Sequence, residues 1–281
     1  MIKLPKLPNC YIDDIIKTAF SEDVNYIDVT TDLLIPYESK SVAKIIAKEE
    51  GVLAGIDVAV RAFRLMDNDI KISCLSDGAS LKPGDAIAEL TGSTAAMLKS
   101  ERTALNLLQH MSGIATYTRR CIDAVTGTGA LIADTRKTLP GLRALQKYAV
   151  LCGGGSNHRF NLSSAAMIKD NHIDAYGSIT GAVNELRKRA GHMIITEVEV
   201  RNLEQLNEAI EVGADIIMLD NMSIDMMKKA VEITAGRAKL ESSGNITLDN
   251  IRRVAETGID IISVGALTHS VKALDISLVI C

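Results

Sequence analysis

The spacing of apolar residues changes twice along this chain, and each change marks a different kind of structure. Near the start, Ile12, Ile15, Ile16 and Phe20 recur at helical spacing in NCYIDDIIKTAFSED, which predicts an amphipathic helix. The stretches SVAKIIAKEEGVLAG and IKISCLSDGASLKPGDAIAEL then read as short β-type runs punctuated by Gly and Pro-Gly. A small α+β domain with an antiparallel sheet is expected there. From Ser93 to about Ala124 the helical spacing returns over a long stretch, with Gly113 as the expected break, and this segment is expected to link two domains.

Beyond residue 130 strand and helix patterns alternate regularly. LIA (131–133), AMI (166–168), MIITEV (193–198), DIIML (215–219), KLE (239–241) and DIISV (260–264) read as strands. Between them lie the helix-period segments GLRALQKYAVL, GSITGAVNELRKRA, NLEQLNEAIEVG, SIDMMKKAVEITAG and TLDNIRRVAETG. Strand, helix, strand without hairpin turns implies parallel pairing, and the later repeat of about 22 residues is that of a compact βα unit. In such folds chemistry gathers at the C-terminal ends of strands. Here all six ends carry ionisable, hydroxyl or glycine residues: Asp134-Thr135-Arg136-Lys137, Lys169-Asp170-Asn171-His172, Glu197-Val198-Glu199, Asp220-Asn221, Glu241 to Asn245, and Ser263 to Ala266. A doubly wound sheet concentrates its site at one switch point, so a closed or nearly closed barrel with one mouth fits better, although six strands fall short of eight.

Composition narrows the class without changing the architecture. A chain of 281 residues, 47% apolar and 23% charged, is an ordinary globular protein. Its formal net charge of −4 argues against a nucleic-acid binder, so any anion site must be local. No apolar run approaches the roughly 18 residues that cross a bilayer, and MIKLPKLPNC lacks a signal-peptide apolar region, which points to the cytoplasm. The five scattered cysteines, none spaced as CxxC, fit reduced thiols rather than disulfides or a zinc site.

The cations Arg136, Lys137, Lys169, His158 and Arg159 belong to the strand ends and to CGGGSNHR, where three glycines allow backbone to approach a ligand. Solvated loop cations are the plain alternative for each alone. Around one mouth they point to an anionic substrate, with arginine suited to carboxylates or phosphates and lysine serving as a point charge. The turns ESSGN and SVGAL follow the last two strands, where barrels hold phosphates on backbone N–H groups; a glycine needed only for turning is the alternative. Glu199 and Asp220 close adjacent strands and are either counter-charges or holders of ribose hydroxyls or of a water-mediated Mg²⁺; Glu197 shares the strand side of Glu199. GTGALIAD precedes a strand rather than following one, so it is not a dinucleotide loop, and His110, His172 and His192 lack ligand spacing.

Taken in order, SERTALNLLQHMSGIAT, DTRKTLPGLRALQKYAVLCGGGSNHR, MIKDNH, EVEV, LDN, ESSGN and SVGALTHS resemble the quinolinate phosphoribosyltransferase family, from about Ile12 to Ser270. The resemblance implies an α/β fold: an incomplete, TIM-like parallel α/β barrel with a smaller N-terminal α/β sandwich-like domain. The expected division is 1–110 for the N-terminal domain and 111–266 for the barrel, with 267–281 packing back on the former. It implies phosphoribosyl transfer from phosphoribosyl pyrophosphate to quinolinate with decarboxylation, giving nicotinate mononucleotide, pyrophosphate and CO₂ on the de novo route to NAD. It implies Mg²⁺ and a homo-oligomer, dimer or hexamer, in which Arg102 reaches the neighbouring site.

By the same resemblance Arg102, Arg136, His158, Arg159 and Lys169 would bind the quinolinate carboxylates, and Thr135 would line the site. Lys137 and Lys169 would lie on the pyrophosphate side. Glu199 and Asp220 would face the ribose hydroxyls and reach the metal indirectly, through water and pyrophosphate. Ser243, Gly244, Asn245, Val264, Gly265, Ala266 and His269 would surround the 5′-phosphate. Lys137, Lys169, Glu199 and Asp220 are thus the expected catalytic set; the resemblance assigns Asp134 no role, and its place beside Arg136 and Lys137 suggests an orienting partner for those cations. Asn25 and Ile27 in EDVNYIDVT stand where the family uses glycines, and Met222 stands where an aromatic is common. Two rivals remain: a ModD-like transferase of the same fold with another acceptor, and a lyase barrel using Lys169 as a Schiff base.

Overall fold

The computed structural model describes residues 4–24 and 26–281; Asn25 lies outside them. Two compact units emerge, one holding residues up to Arg119 with 138–154 and 267 onward, the other holding Arg120–Lys137 and Gly155–Ala266. In chain order the first stretch gives α1 (Asn9–Asp23), α2 (Val29–Leu34), β1 (Lys40–Ala47), β2 (Gly51–Val52), α3 (Ile56–Met66), β3 (Lys71–Cys74), β4 (Ser80–Leu81), β5 (Ala86–Ser93) and α4 (Thr94–Val125). Then follow β6 (Leu131–Ala133), α5 (Arg143–Gly153), β7 (Ala166–Ile168), α6 (Asp170–Tyr176), α7 (Ile179–Arg189), β8 (Thr196–Val200) and α8 (Leu203–Glu211). The chain closes with β9 (Ile216–Asp220), α9 (Ile224–Thr234), β10 (Lys239–Ser243), α10 (Ile251–Ala255), β11 (Ile261–Ser263), α11 (Ala266–His269) and β12 (Ile276–Ile280).

The first unit contains an antiparallel sheet in the order β12-β1-β5-β3, so the chain's last strand pairs with its first. Ile12 and Ile16 of α1 are buried, as their spacing predicts, and α3 adds the buried face Ile56, Val58, Ala59, Ala62 and Phe63. Asp28 caps α2 by accepting from Thr30 and Thr31 N–H at 3.1 and 3.0 Å, directly after the half-exposed Ile27. The long helix runs unbroken through Gly113, contrary to the expected break. A Cβ there would fall 2.2 Å from the Lys272 carbonyl oxygen, so the glycine admits the C-terminal segment against the helix.

The second unit is a six-stranded parallel sheet in the order β6-β11-β10-β9-β8-β7. Strands β7 to β11 lie side by side in chain order and β6 pairs with β11, so β6 and β7 form the two edges and are not paired with each other. That open seam makes it an incomplete α/β barrel. Polar caps set the helices: Ser178, Asn202 and Ser223 accept N–H bonds from Gly181, Gln205 and Met226 at the starts of α7, α8 and α9. β8 begins later than MIITEV suggests: Met193 and Ile195 are exposed, and the Asp215 carboxylate accepts from Thr196 N–H at 2.8 Å where pairing starts. All five β8 residues are buried, which sends Glu197 and Glu199 to one side of the sheet and Thr196, Val198 and Val200 to the other.

Candidate active site

The second unit places most of the expected residues on the ends of its own strands. Past β6, the fully buried Asp134 binds the segment 156–158. Its two oxygens accept from the His158 backbone N–H at 2.9 Å and from Asn157 Nδ2 at 2.6 Å. Its own N–H donates to the Ser156 carbonyl at 3.1 Å, and Ala133 bridges Ser156 in parallel register. Thr135 Oγ1 accepts from the Lys137 N–H at 3.0 Å, a short turn that leaves the Lys137 side of the loop exposed.

Arg136 and Arg159 are the two guanidinium groups of the site. Arg136 Nε is buried without a hydrogen-bond partner. Arg159 donates through Nη1 to the Ala165 carbonyl at 3.0 Å and lies 3.6 Å from Met167 Sδ through Nη2. Burial, and then the charge of Arg136, pull the Arg159 guanidinium below its usual range. Two half-buried cations that repel each other, one with an unsatisfied donor, make a place where an anion is stabilised.

The acids occupy the sheet wall. At the end of β7, Lys169 Nζ donates to Glu199 Oε2 at 2.7 Å, while its backbone N–H donates to His172 Nδ1 at 3.0 Å. His172 is therefore a local cap of α6, a helix that the apolar spacing does not announce. Asp170 pairs with Arg201. At the end of β9, Asp220 Oδ1 accepts from Asn221 Nδ2 at 3.0 Å, and Asn221 Oδ1 accepts from Asn245 Nδ2 at 3.1 Å. Asn221 and Asn245 both hold φ of +53°, and a Cβ on Gly244, at φ +99°, would lie 2.2 Å from Asn221 Oδ1. Glycine is thus required for the loops after β9 and β10 to interlock. Met222 is buried beside them and lines a cavity of about 290 Å³ together with Gly244, Asn245 and Arg253. Val264 is buried after β11, its N–H donating to the Ala133 carbonyl at 2.9 Å, and Gly265 and Ala266 follow it.

Residues that the sequence undervalues lie beneath this mouth. His158 Nδ1 accepts from the Arg159 N–H at 2.8 Å, so the ring proton belongs on Nε2. That Nε2 faces Glu197 Oε2 at 3.1 Å and Glu241 Oε1 at 3.6 Å. Glu197 and Glu241 are 3% and 1% exposed, and each keeps a buried oxygen without a hydrogen-bond partner. Burial, and then the charge of Glu197, push the Glu241 carboxyl up to about 7. Ionisable residues at inward positions of apolar strands were the available signal for this pair; the arrival of His158 between them was not legible.

Two expected residues belong to the first unit. Arg102 is exposed on α4, and His269 closes α11 with its Nδ1 2.5 Å from Ser270 Oγ. His110 is half-buried in the same unit, bonded through Nε2 to Gln146 at 2.8 Å, and burial pulls it below its usual range.

Comparison with known proteins decides among the readings this geometry permits. Residues 28–112 match the family described as quinolinate phosphoribosyl transferase, N-terminal domain, and residues 114–279 match its C-terminal domain. The chain belongs to the quinolinate phosphoribosyltransferase family. It is 47% identical over 260 residues to a probable nicotinate-nucleotide pyrophosphorylase [carboxylating] of Bacillus subtilis, covering 92% of this chain and 90% of that one. A nicotinate-nucleotide pyrophosphorylase [carboxylating] of Mycobacterium leprae is 44% identical, covering 97% and 99%. Among solved structures, NadC from Streptococcus pyogenes superposes with a TM-score of 0.95 at 43% identity, covering 99% of each chain. Family membership fits the incomplete barrel and the antiparallel N-terminal sheet, both of which that structural likeness shares.

Proposed function

We propose that this chain transfers the phosphoribosyl group of phosphoribosyl pyrophosphate to quinolinate with decarboxylation, forming nicotinate mononucleotide, pyrophosphate and CO₂ in de novo NAD synthesis. The observation that carries the reading is the half-buried Arg136–Arg159 pair, with the Arg136 Nε donor unsatisfied, in a site where Glu199 already holds Lys169. A dicarboxylate supplies the two charges the arginines lack. Pyrophosphate departs from the anomeric carbon as the pyridine nitrogen attacks it. The cationic ring then accepts the electron pair left when the adjacent carboxylate leaves as CO₂, and a proton takes the vacated carbon. No covalent enzyme nucleophile is needed, so the chain contributes positioning and electrostatic stabilisation.

In this reading Arg136 and Arg159 orient the carboxylates, Thr135 lines the site, and Lys137 and Lys169 face the pyrophosphate side. Lys169 is held by Glu199, which suits a fixed positive charge better than a Schiff-base amine. Glu199 and Asp220 hold the ribose hydroxyls. Ser243, Gly244 and Asn245, with Val264, Gly265 and Ala266, receive the 5′-phosphate. The hard oxygen donors of Glu199 and Asp220 fit Mg²⁺ held through water and pyrophosphate, because Glu199 Oε2 already accepts from lysine. When bound, the metal neutralises the departing pyrophosphate.

A homo-oligomer, with Arg102 reaching a neighbouring barrel, completes the reading. Support comes from the exposure of Val29, Leu33 and Leu34 on α2, at 62%, 71% and 72%, an apolar face suited to a second copy. All five cysteines are free thiols, consistent with a reducing cytoplasmic setting. No helix of the described residues is long and apolar enough to cross a membrane. The test is CO₂ and nicotinate mononucleotide formation from quinolinate plus phosphoribosyl pyrophosphate, with nicotinate as the control acceptor. Quinolinate turnover is expected; turnover of nicotinate but not quinolinate overturns the reading.

A further inference from the structure

The acids beneath the mouth have no part in the transfer just described, yet their geometry is demanding. Glu197 comes from β8 and Glu241 from β10, the strands on either side of β9. Their carboxylate oxygens and His158 Nε2 all lie within 4.8 Å of one another. A hydrogen bond from a neutral imidazole does not offset two buried negative charges, so both carboxylates cannot stay ionised together. His158 Nε2 is closer to Glu197, at 3.1 Å, than to Glu241, at 3.6 Å, so Glu241 is the member less favoured as a carboxylate.

The same ring reaches upward. Its Nδ1 receives the Arg159 N–H, and Asp134 from β6 holds the His158 N–H and the Asn157 amide. Residues 157–159 are therefore fastened at two points, and the side chain they deliver to the mouth is Arg159. We propose that Glu197 and Glu241 form a positioning pair that locks His158 in its Nε2–H form, so that the loop presents Arg159 to a substrate carboxylate. His158 then acts through Arg159 rather than by touching quinolinate.

The groups facing Glu241 are Glu197 from β8, His158 from the loop, Asp134 from β6 and the Ser263 hydroxyl from β11; Arg136 and Arg159 lie on the mouth side. The charges of Glu197 and Asp134 favour its protonation, while the His158 ring and the Ser263 hydroxyl oppose it. Loss of the Glu241 proton at higher pH adds a second negative charge beside His158 Nε2 and disturbs the loop that presents Arg159.

The substrate identity rests on the proposed transferase activity, so the experiment includes a readout that needs no substrate. The full chain is labelled with ¹⁵N-histidine as wild type, Glu241→Gln and Glu241→Leu, and imidazole ¹H–¹⁵N spectra are assigned and recorded against pH. The wild type and the Gln variant are expected to show His158 as the neutral Nε2–H tautomer. In turnover assays Glu241→Leu should raise the quinolinate KM at least tenfold while the phosphoribosyl pyrophosphate KM stays within about twofold, and Glu241→Gln should recover most of the loss. The wild-type quinolinate KM should rise above pH about 7, and the Gln variant should lack that rise. An imidazolium or Nδ1–H form of wild-type His158, equal movement of both KM values, or the same alkaline rise in Glu241→Gln overturns the pair's role. So does one equivalent of divalent metal retained in the purified protein and lost in Glu241→Gln, which would make the cluster a metal site. If the wild type fails to turn over quinolinate, the function is refuted, while the tautomer spectra still decide the geometry. If the Leu variant does not fold, the wild-type and Gln spectra carry the test.

Discussion

The two sides of the barrel mouth treat charge in opposite ways. On the acid wall each buried carboxylate has a means of relief: Glu199 takes the Lys169 ammonium at 2.7 Å, Glu197 takes the His158 ring at 3.1 Å, and burial holds the proton on Glu241. On the cation side relief is missing. Arg136 keeps a buried donor unsatisfied, and its charge bears on Arg159 instead of being cancelled by an acid. Glu197 is the acid whose charge bears on Arg159, and it already faces the His158 ring at 3.1 Å. The acid wall also keeps unsatisfied oxygens, on Glu197 and Glu241, but the positive charge gathered at Arg136 and Arg159 fits an anion brought from outside and seated over the arginines.

Arg136→Ala should break this contrast most severely. Removing a bidentate, charge-assisted partner is worth about 3 kcal/mol or more, so quinolinate affinity should fall at least ~100-fold. Affinity for phosphoribosyl pyrophosphate should fall far less. Isothermal titration with each ligand separates the two, and equal losses would sink the assignment of the arginine to a carboxylate.

A smaller effect is expected on the acid wall. Glu199→Gln leaves Lys169 without its counter-charge, and kcat should drop roughly 10-fold or more as the ammonium loses its fixed position. Because the Lys169 side chain is 45% exposed, folding stability should change by less than ~1 kcal/mol. A loss of activity matched by a similar collapse in thermal stability would mean that the pair is structural.

These contrasts were only partly legible in the sequence. The strand ends could be read, because parallel alternation forces residues such as Arg136, Lys169 and Asp220 to one side of a sheet. Helix boundaries misled where a glycine had two possible uses: Gly113 looks like a break but serves a close approach to the Lys272 carbonyl. MIIT looks like the start of β8, yet the strand begins at Thr196, where Asp215 supplies the first bond. The role of Asp134 was beyond reach for a different reason. Its partners, Asn157 and His158, are 23 and 24 residues away, and no periodicity encodes a loop that returns to the strand it left. The Glu197–His158–Glu241 cluster depends on the same return.

The gentlest test concerns stability alone, and its sign distinguishes a pair with Glu241 protonated from two ionised acids. The Glu241 carboxyl is raised from 4.5 to about 7 in the folded protein. Below pH about 4.5 folded and unfolded chains are both protonated there, so the group's contribution is fully present. Between about 4.5 and 7 the folded chain binds the extra proton, and stability is lost as pH rises through that window. Glu241→Gln keeps the shape of the protonated acid and has nothing to ionise. Its Tm relative to wild type should therefore climb as pH goes from 4.5 to 8, by roughly 2–4 °C for each kcal/mol relieved, and then level off. A Tm difference that is flat across this range would mean that Glu241 is already ionised in the folded protein, and the acid wall would then be no better neutralised than the cation side.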